Sequence, residues 1–319
     1  MARIPAAVAA VRLAVRRALP PGAGPVLVAC SGGADSLALA AAARFVGSSV
    51  GLVTVDHGLQ AGSDTRAADV ASWAEGEGFA PVVVETVSVA GLPGGPEAAA
   101  REARYAALSD AAERVGAAAV LLGHTRDDQA ETVLLALARG SGPRGLAGMP
   151  VRKGVFVRPL LEVSRAETRE ACAALKLVPW DDPHNVDPAY ARARVRGSVM
   201  PALVAALGPA VVANLARSAG QIGADNAVLE SLAFAAFAAA ARPPDQLDIS
   251  DLSEMMPGIR ARVLHLWCQR LGAGGADLSH RHVVALDALI TQWHGQGAVH
   301  LPGGILVARR QGALVRVPS

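Results

Sequence analysis

Two short stretches carry residue types whose spacing could do chemistry together. The first is Ser31-Gly32-Gly33-Ala34-Asp35-Ser36, which follows the apolar run Val26–Cys30. A glycine pair lets the backbone turn tightly and come close to a ligand. Where such a turn opens a helix, its N–H groups point at an anion and the helix dipole favours it. The hydroxyls of Ser31 and Ser36 can add donors, so residues 31–36 read as a grip for phosphate. Asp35 is the odd member, because a carboxylate repels phosphate. A bridging Mg²⁺ resolves the conflict, since that ion takes carboxylate and phosphate oxygens together.

The second stretch is Gly123-His124-Thr125-Arg126-Asp127-Asp128-Gln129-Ala130-Glu131-Thr132, after the apolar run that starts at Ala118. On a helix, Asp127 and Glu131 share a face and Asp128 nearly joins them. Like charges at this spacing disfavour a helix slightly. A cation among them removes that cost: Mg²⁺ on the phosphates, with Asp128 as a second metal ligand, or the amino groups of a substrate. The plainer reading is an acidic helix start that complements the dipole; the nearby phosphate grip favours the functional one. His124 reads as a proton carrier, a phosphate donor or a structural histidine at a strand end.

The elements that must position these stretches are legible in the apolar pattern. Val26–Cys30, Gly51–Val55, Pro81–Val87 and Ala118–Gly123 read as buried strands, with a fifth at Val155–Pro159. Between and after them, Ser36–Phe45, Ser63–Gly76, Pro96–Val115, Asp127–Leu137 and Ser164–Leu175 read as helices, with Ser63 as an N-cap. This alternation predicts an α/β fold, a parallel sheet with helices on both faces. Ligands of such sheets bind beyond the carboxyl ends of the strands. Pro179, Pro183 and Pro188 break the pattern. Then follow helices at Ala210–Ile222, Ala224–Ala241, Ser250–Leu271 and Ser279–Trp293, and short strands at Ala298–Leu301, Ile305–Ala308 and Leu314–Val317, with Gly303-Gly304 as a turn. We expect a first domain over residues 1–206 and a smaller, mainly helical C-terminal domain over 207–319.

Composition narrows the classes. No run reaches the roughly 20 apolar residues of a membrane span. Arg3, Arg12, Arg16 and Arg17 precede the first acid, Asp35; a transit peptide has this character, but an amphipathic helix leading into the first strand is the favoured reading. Cys30, Cys172 and Cys268 form no CxxC pair, which argues against a disulfide framework or a zinc or iron–sulfur site. Neither Lys153 nor Lys176 follows a glycine, so there is no Walker A loop, and no GxGxxG follows the first strand. The expected compartment is the cytosol.

The loop resembles the SGGxDS signature of PP-loop ATP pyrophosphatases, a Rossmann-like fold class that cleaves ATP to AMP and pyrophosphate. Residues 123–132 resemble the GHxxDDQAET signature of the tRNA(Ile)-lysidine synthetase family. More of that family's pattern follows in order: Asp56-His57-Gly58-Leu59, Ala100-Arg101-Glu102-Ala103-Arg104-Tyr105, Arg139-Gly140-Ser141-Gly142, Arg158-Pro159-Leu160-Leu161, and a segment with Asp187, Tyr190, Arg192 and Arg196. Gln60, His184 and Ala193 depart from it. The resemblance implies ATP-dependent joining of free L-lysine to the wobble cytidine of a tRNA(Ile) with a CAU anticodon, through an adenylated cytosine, with ATP and Mg²⁺ as cofactors. It implies that Asp35, His124, Asp127, Asp128 and Glu131 serve catalysis. Residues 31–36, Asp56, His57 and Gly123 would bind ATP, and Arg101, Arg104, Arg139, Arg192 and Arg196 would contact tRNA. A homodimer is compatible with the sequence, and no membrane partner is expected. Two rivals remain. A sulfur-transferring PP-loop enzyme needs cysteines that this chain does not arrange suitably. A catalytically silent tRNA-binding protein has no use for the phosphate loop.

Overall fold

The computed structural model describes residues 4–19, 24–47, 49–56, 58, 62–87, 96–183, 187–243, 245–274 and 278–318. His57, Leu59, Gln60 and His184 lie outside them. The chain divides into two compact units, Met1–Gly223 and Ala224–Ser319.

The first unit runs α1 (Ala6–Ala18), β1 (Val26–Ala29), α2 (Ala34–Val46), β2 (Val50–Asp56), α3 (Ser63–Gly76), β3 (Val82–Thr86), α4 (Pro96–Val115) and β4 (Ala119–Leu122). It continues with α5 (Arg126–Ala138), α6 (Pro143–Leu146), β5 (Arg152–Lys153), β6 (Phe156–Val157), α7 (Arg165–Ala174) and α8 (Ala191–Arg194). A π-helical turn over Val195–Val199 leads into α9 (Met200–Leu207), and α10 (Ala210–Ala240) runs across the division between the units. The sheet order is β3-β2-β1-β4-β6-β5. The strands are parallel except β5, which pairs antiparallel with β6 as a short edge hairpin. The sheet is therefore mostly rather than wholly parallel.

The apolar runs of β1, β2 and β4 are continuous because both sheet faces are covered. Successive residues point to opposite faces. Val26, Val28, Val50, Leu52, Ala119 and Leu121 join one core with residues of α1, α2 and α7. Leu27, Val53, Val120 and Leu122 join another with Leu108, Ala111 and Ala112 of α4. Helix α1 buries Val8, Val11 and Val15, spaced as one helical stripe, against α2 and α7. Its arginines point outward, and Arg12 stacks 3.4 Å over the Phe45 ring. Ser63 is the first helical residue of α3 rather than its N-cap; Gly62 takes that place with a φ of 78°, which suits glycine.

The second unit holds the rest of α10, β7 (Ala241–Arg242), β8 (Gln246–Asp248), α11 (Ile249–Glu254), α12 (Pro257–Arg270), α13 (His280–Thr291), β9 (Val299–Leu301), β10 (Ile305–Arg310) and β11 (Ala313–Val317). Its sheet, in the order β7-β8-β11-β10-β9, has two more strands than the apolar pattern suggests. The core gathers Leu252, Leu264, Trp267, Leu286 and Leu314. The helix expected over 250–271 breaks before Pro257, which lacks an N–H and sits naturally at a helix start. The two helices expected around Gly223 are one. Gly220 and Gly223 each cost the helix interior only about 1 kcal/mol, which a 31-residue helix absorbs. That helix is long and apolar enough, by length and composition alone, to cross a membrane, although Arg217, Asp225 and Glu230 interrupt it.

Gly123 ends β4 against the start of α2. A Cβ there would lie 3.1 Å from both Asp35 C and Ser36 N. We expect Gly123→Val to destabilise the protein by about 1–3 kcal/mol through overpacking. Gly220→Ala, with open space around it, should leave the thermal midpoint unchanged or raise it. Equal midpoints for Gly123→Val and wild type would refute the packing account.

Candidate nucleotide site at the sheet edge

The glycine loop joins β1 to α2. Gly32 has a φ of 82°, a left-handed conformation that glycine adopts without strain. Gly33 caps α2, whose first N–H groups have no intrahelical partner. The Ser36 hydroxyl is buried. It donates to the Gly33 carbonyl at 2.9 Å and accepts from the Ser31 N–H at 3.2 Å. Ser36 therefore braces the loop from inside, while Ser31 is exposed at its rim. The Trp180 N–H donates to the Gly32 carbonyl at 2.9 Å, and Arg66 stacks 3.4 Å over the Trp180 ring. The proline-rich segment is thus tied to the loop. Burial raises the Cys30 thiol pKa, in keeping with a structural cysteine.

The acidic stretch begins α5 through a capping box. Thr125 and Asp128 exchange bonds, with Asp128 Oδ2 accepting from Thr125 N at 2.8 Å and from Thr125 Oγ1 at 2.9 Å. The opposite charge comes from three arginines far along the chain. Arg165 Nη2 donates to Asp128 Oδ1 at 2.8 Å and to Glu131 Oε1 at 3.1 Å. Arg196 Nε and Nη2 reach the two Glu131 oxygens at 2.8 and 3.1 Å, and Nη2 also lies 3.2 Å from Asp128 Oδ1. Arg192 Nε is 4.0 Å from Glu131 and its Nη2 donates to Thr132 Oγ1. Asp127 Oδ2 accepts from the Arg165 N–H at 2.9 Å, capping α7 from the neighbouring helix. Asp35 accepts from the Thr168 hydroxyl and lies 4.0 Å from Arg165 Nε.

Protonation follows from these contacts. Burial acts to raise the pKa of Asp128, but Arg165, the Thr125 bonds and His124 together hold it below the usual carboxylate range. Asp35 is raised to about 6, first by burial and also by Asp128, against the Thr168 bond and the arginines. His124 is lowered to about 3 by burial, with Arg104, Arg158 and Arg101 adding repulsion against the pull of Asp128. A neutral His124 has no charged proton to give near neutral pH.

The structure engages several expected residues differently. Both oxygens of Asp128 are taken by Thr125, Arg165 and Arg196, so it does not offer itself to Mg²⁺. Among the described residues no group of three or more His, Cys, Asp or Glu side chains could hold a metal ion. Mg²⁺ commonly needs only one or two carboxylates beside substrate phosphates, and Asp35, next to the loop, fits that donor set. Arg196 and Arg192 face Glu131 rather than open surface. Asp56 is buried at the end of β2 and accepts from the Gly58 N–H at 2.9 Å, shaping the turn there. Arg101 and Arg139 are exposed and Arg104 is half-buried. Sequence reasoning does not single out Arg165 and Thr168. Ser164 and Glu167 cap α7 as a box, which marks the helix start but says nothing of which residues it faces.

A glycine loop between a strand and a helix, with carboxylates on the same parallel-sheet edge, defines a PP-loop nucleotide-using enzyme. Residues 10–203 match the PP-loop domain family, and residues 247–315 match the TilS substrate binding domain. The chain is 62% identical to the tRNA(Ile)-lysidine synthase of Salinispora tropica, covering 99% of this chain and 98% of that protein. It is 50% identical to that of Thermobifida fusca, covering 98% of each. It belongs to the tRNA(Ile)-lysidine synthase family. The U34-tRNA thiolase of Methanococcus maripaludis shares the fold, with a TM-score of 0.54 at 17% identity over 68% of this chain and 79% of that one.

The titration of His124 gives a signed prediction. The unfolded chain takes up a proton below about pH 6.5 that the native state refuses until about 3, so this group costs stability as pH falls through that window. Asp35 acts oppositely: its contribution is full below about pH 4 and is lost as pH rises through about 6. Replacing His124→Gln should therefore improve stability relative to wild type by about 1–2 kcal/mol between pH 7.5 and pH 5, measured by urea unfolding. A difference that does not change with pH would contradict a buried neutral imidazole.

Arg165→Met should cost about 1–3 kcal/mol by leaving buried carboxylate oxygens short of partners. Urea unfolding at pH 7.5 checks this, and wild-type stability in the variant would show that Arg196 alone suffices.

Proposed function

We propose that this chain joins the side-chain amine of free L-lysine to the wobble cytidine of a tRNA(Ile) with a CAU anticodon. The observation that carries the reading is the phosphate loop and the carboxylate cluster on one sheet edge, in a chain of this family. ATP first transfers its adenylyl group to the cytosine carbonyl oxygen, and pyrophosphate leaves. The amine then attacks the carbon that bore that oxygen, AMP leaves with the oxygen, and the amine gives up a proton. The oxygen is a poor leaving group until it is adenylated.

The chain's own residues divide the work. The first amides of α2 and Ser31 bind the phosphates and stabilise charge on departing pyrophosphate. Ser36 and Trp180 hold the loop in shape. Asp35 would hold Mg²⁺ beside the phosphates; bound there, the ion neutralises phosphate charge as a Lewis acid. Among the described residues, Asp127 engages one carboxylate oxygen, Oδ2, in its bond from Arg165, and Oδ1 is left for a ligand. It is the acid best placed to hold the incoming amine or accept its proton. Asp128 and Glu131 set the charge around it through Arg165 and Arg196. In this reading residues 1–206 carry the ATP chemistry and 207–319 help grip the tRNA. A tRNA substrate places the work in the cytoplasm.

Incubation with tRNA(Ile) bearing CAU, labelled lysine and ATP should give ATP-dependent labelling of the tRNA. Labelling that fails while the tRNA and ATP both bind would sink the reading. Asp35→Ala should cut pyrophosphate release by about 100-fold or more, and unchanged release would remove Asp35 from the phosphate site.

A further inference from the structure

Across the end of β4 from the phosphate loop lies a second cluster, packed on the α4 face of the sheet. Its centre is Tyr105. The ring packs edge-on against Phe156, 4.9 Å between centroids, beside the core that holds Leu108 and Val120. The Tyr105 hydroxyl accepts from Arg158 Nη2 at 3.3 Å and from Arg101 Nη2 at 3.4 Å. Arg101 and Arg104 stand 5.0 and 5.6 Å from the ring centroid. Arg158 is 4% exposed and anchored by its bond to the Pro150 carbonyl at 2.9 Å.

Three features of this cluster point outside the protein. Among the described residues, none of Arg101, Arg104 and Arg158 pairs with a carboxylate, whereas Arg165, Arg192 and Arg196 all do. Arg104 Nε, Arg158 Nε and His124 Nδ1 are buried with no hydrogen-bond partner. The Tyr105 hydroxyl spends its acceptor capacity on two guanidinium groups, so its own hydrogen is left to donate. The cluster is thus rich in donors and positive charge, and among the described residues no carboxylate pairs with its three guanidinium groups. Stacking like charges in a half-buried place costs free energy, and a bound anion offsets that cost. Three guanidinium groups exceed what one carboxylate, with two oxygens, can engage. A polynucleotide backbone presents a phosphate at every nucleotide.

We propose that Arg101, Arg104 and Tyr105, backed by Arg158 and His124, form a phosphodiester pocket that holds the RNA backbone beside the reacting base. The pocket rests on the tRNA reading above and deepens it. Arg158, Tyr105 and His124 join Arg101 and Arg104 in a single site, on the opposite side of β4 from the ATP phosphates. Pyrophosphate can then leave toward the loop while the nucleotide stays held.

The test measures binding without turnover. Affinities of wild type, Arg101→Gln, Arg104→Gln and Tyr105→Phe for a tRNA(Ile) transcript are measured across a KCl series, and ATP affinity is measured by calorimetry on the same samples. Each arginine variant should bind tRNA several-fold more weakly, with the slope of log affinity against log salt reduced by about 0.7–0.9 for each phosphate that is no longer neutralised. Tyr105→Phe, which keeps the ring packing, should weaken tRNA binding with the salt slope unchanged. ATP affinity should be that of wild type throughout. Weaker ATP binding with tRNA binding intact would assign the cluster to the nucleotide and overturn the proposal. Unchanged tRNA affinity and slope in all three variants would overturn it too. Wild-type protein that binds tRNA with these dependences but adds no lysine would refute the proposed reaction and leave the pocket standing.

Discussion

The constraint on which the site depends is the crowding of negative charge. Asp35, Asp127, Asp128 and Glu131 converge from α2 and α5 on the same sheet edge that must receive a polyphosphate. Left alone they would repel one another and the ligand. Arg165 and Arg196 answer this by reaching Asp128 and Glu131 at 2.8 Å each. Neither guanidinium is fully buried, so the pairs settle the geometry more than they add net stability. The network makes Glu131 and Asp128 into fixed charges and leaves Asp35 and Asp127 nearer to chemistry.

The backbone serves the same end. Gly123 has no side chain because the start of α2 passes directly over it, and this close approach sets the phosphate loop against the strand that carries the acids. Asp127 caps α7, and Thr168 on α7 returns a hydroxyl to Asp35. Four elements are thereby tied at one corner: the loop into α2, the end of β4, the start of α5 and the start of α7. A ligand held by any of them is felt by the others through short bonds rather than through loose packing.

Much of this is legible in the amino-acid sequence, for reasons that are local. The start of α4 is marked by Pro96, the bounds of α3 match although Ser63 is not its N-cap, and the glycine loop is recognisable because a strand precedes it and a helix follows. What is not legible is tertiary. Arg165 lies 37 residues from Asp128 and 34 from Glu131, and no spacing rule links them. Sequence alone therefore makes Asp128 a metal ligand, when its oxygens face guanidinium groups. The pairing of Arg196 with Glu131 is hidden for the same reason: an arginine's type fixes that it binds anions, and the fold decides which ones within the protein it meets. The strands Ala241–Arg242 and Gln246–Asp248 are too short to show a pattern, and they form because β11 offers an edge on which β8, and then β7, can pair.

The central claim is that the corner built around Asp35 transfers an adenylyl group from ATP to a tRNA base before lysine takes part. The most direct measurement mixes enzyme, ATP and tRNA(Ile) bearing CAU without lysine and follows the products of ATP in a single turnover. The account predicts release of pyrophosphate with the adenylyl group retained on the tRNA, and discharge as AMP when lysine is added. Formation of ADP and phosphate, or pyrophosphate release that requires lysine from the start, would contradict it.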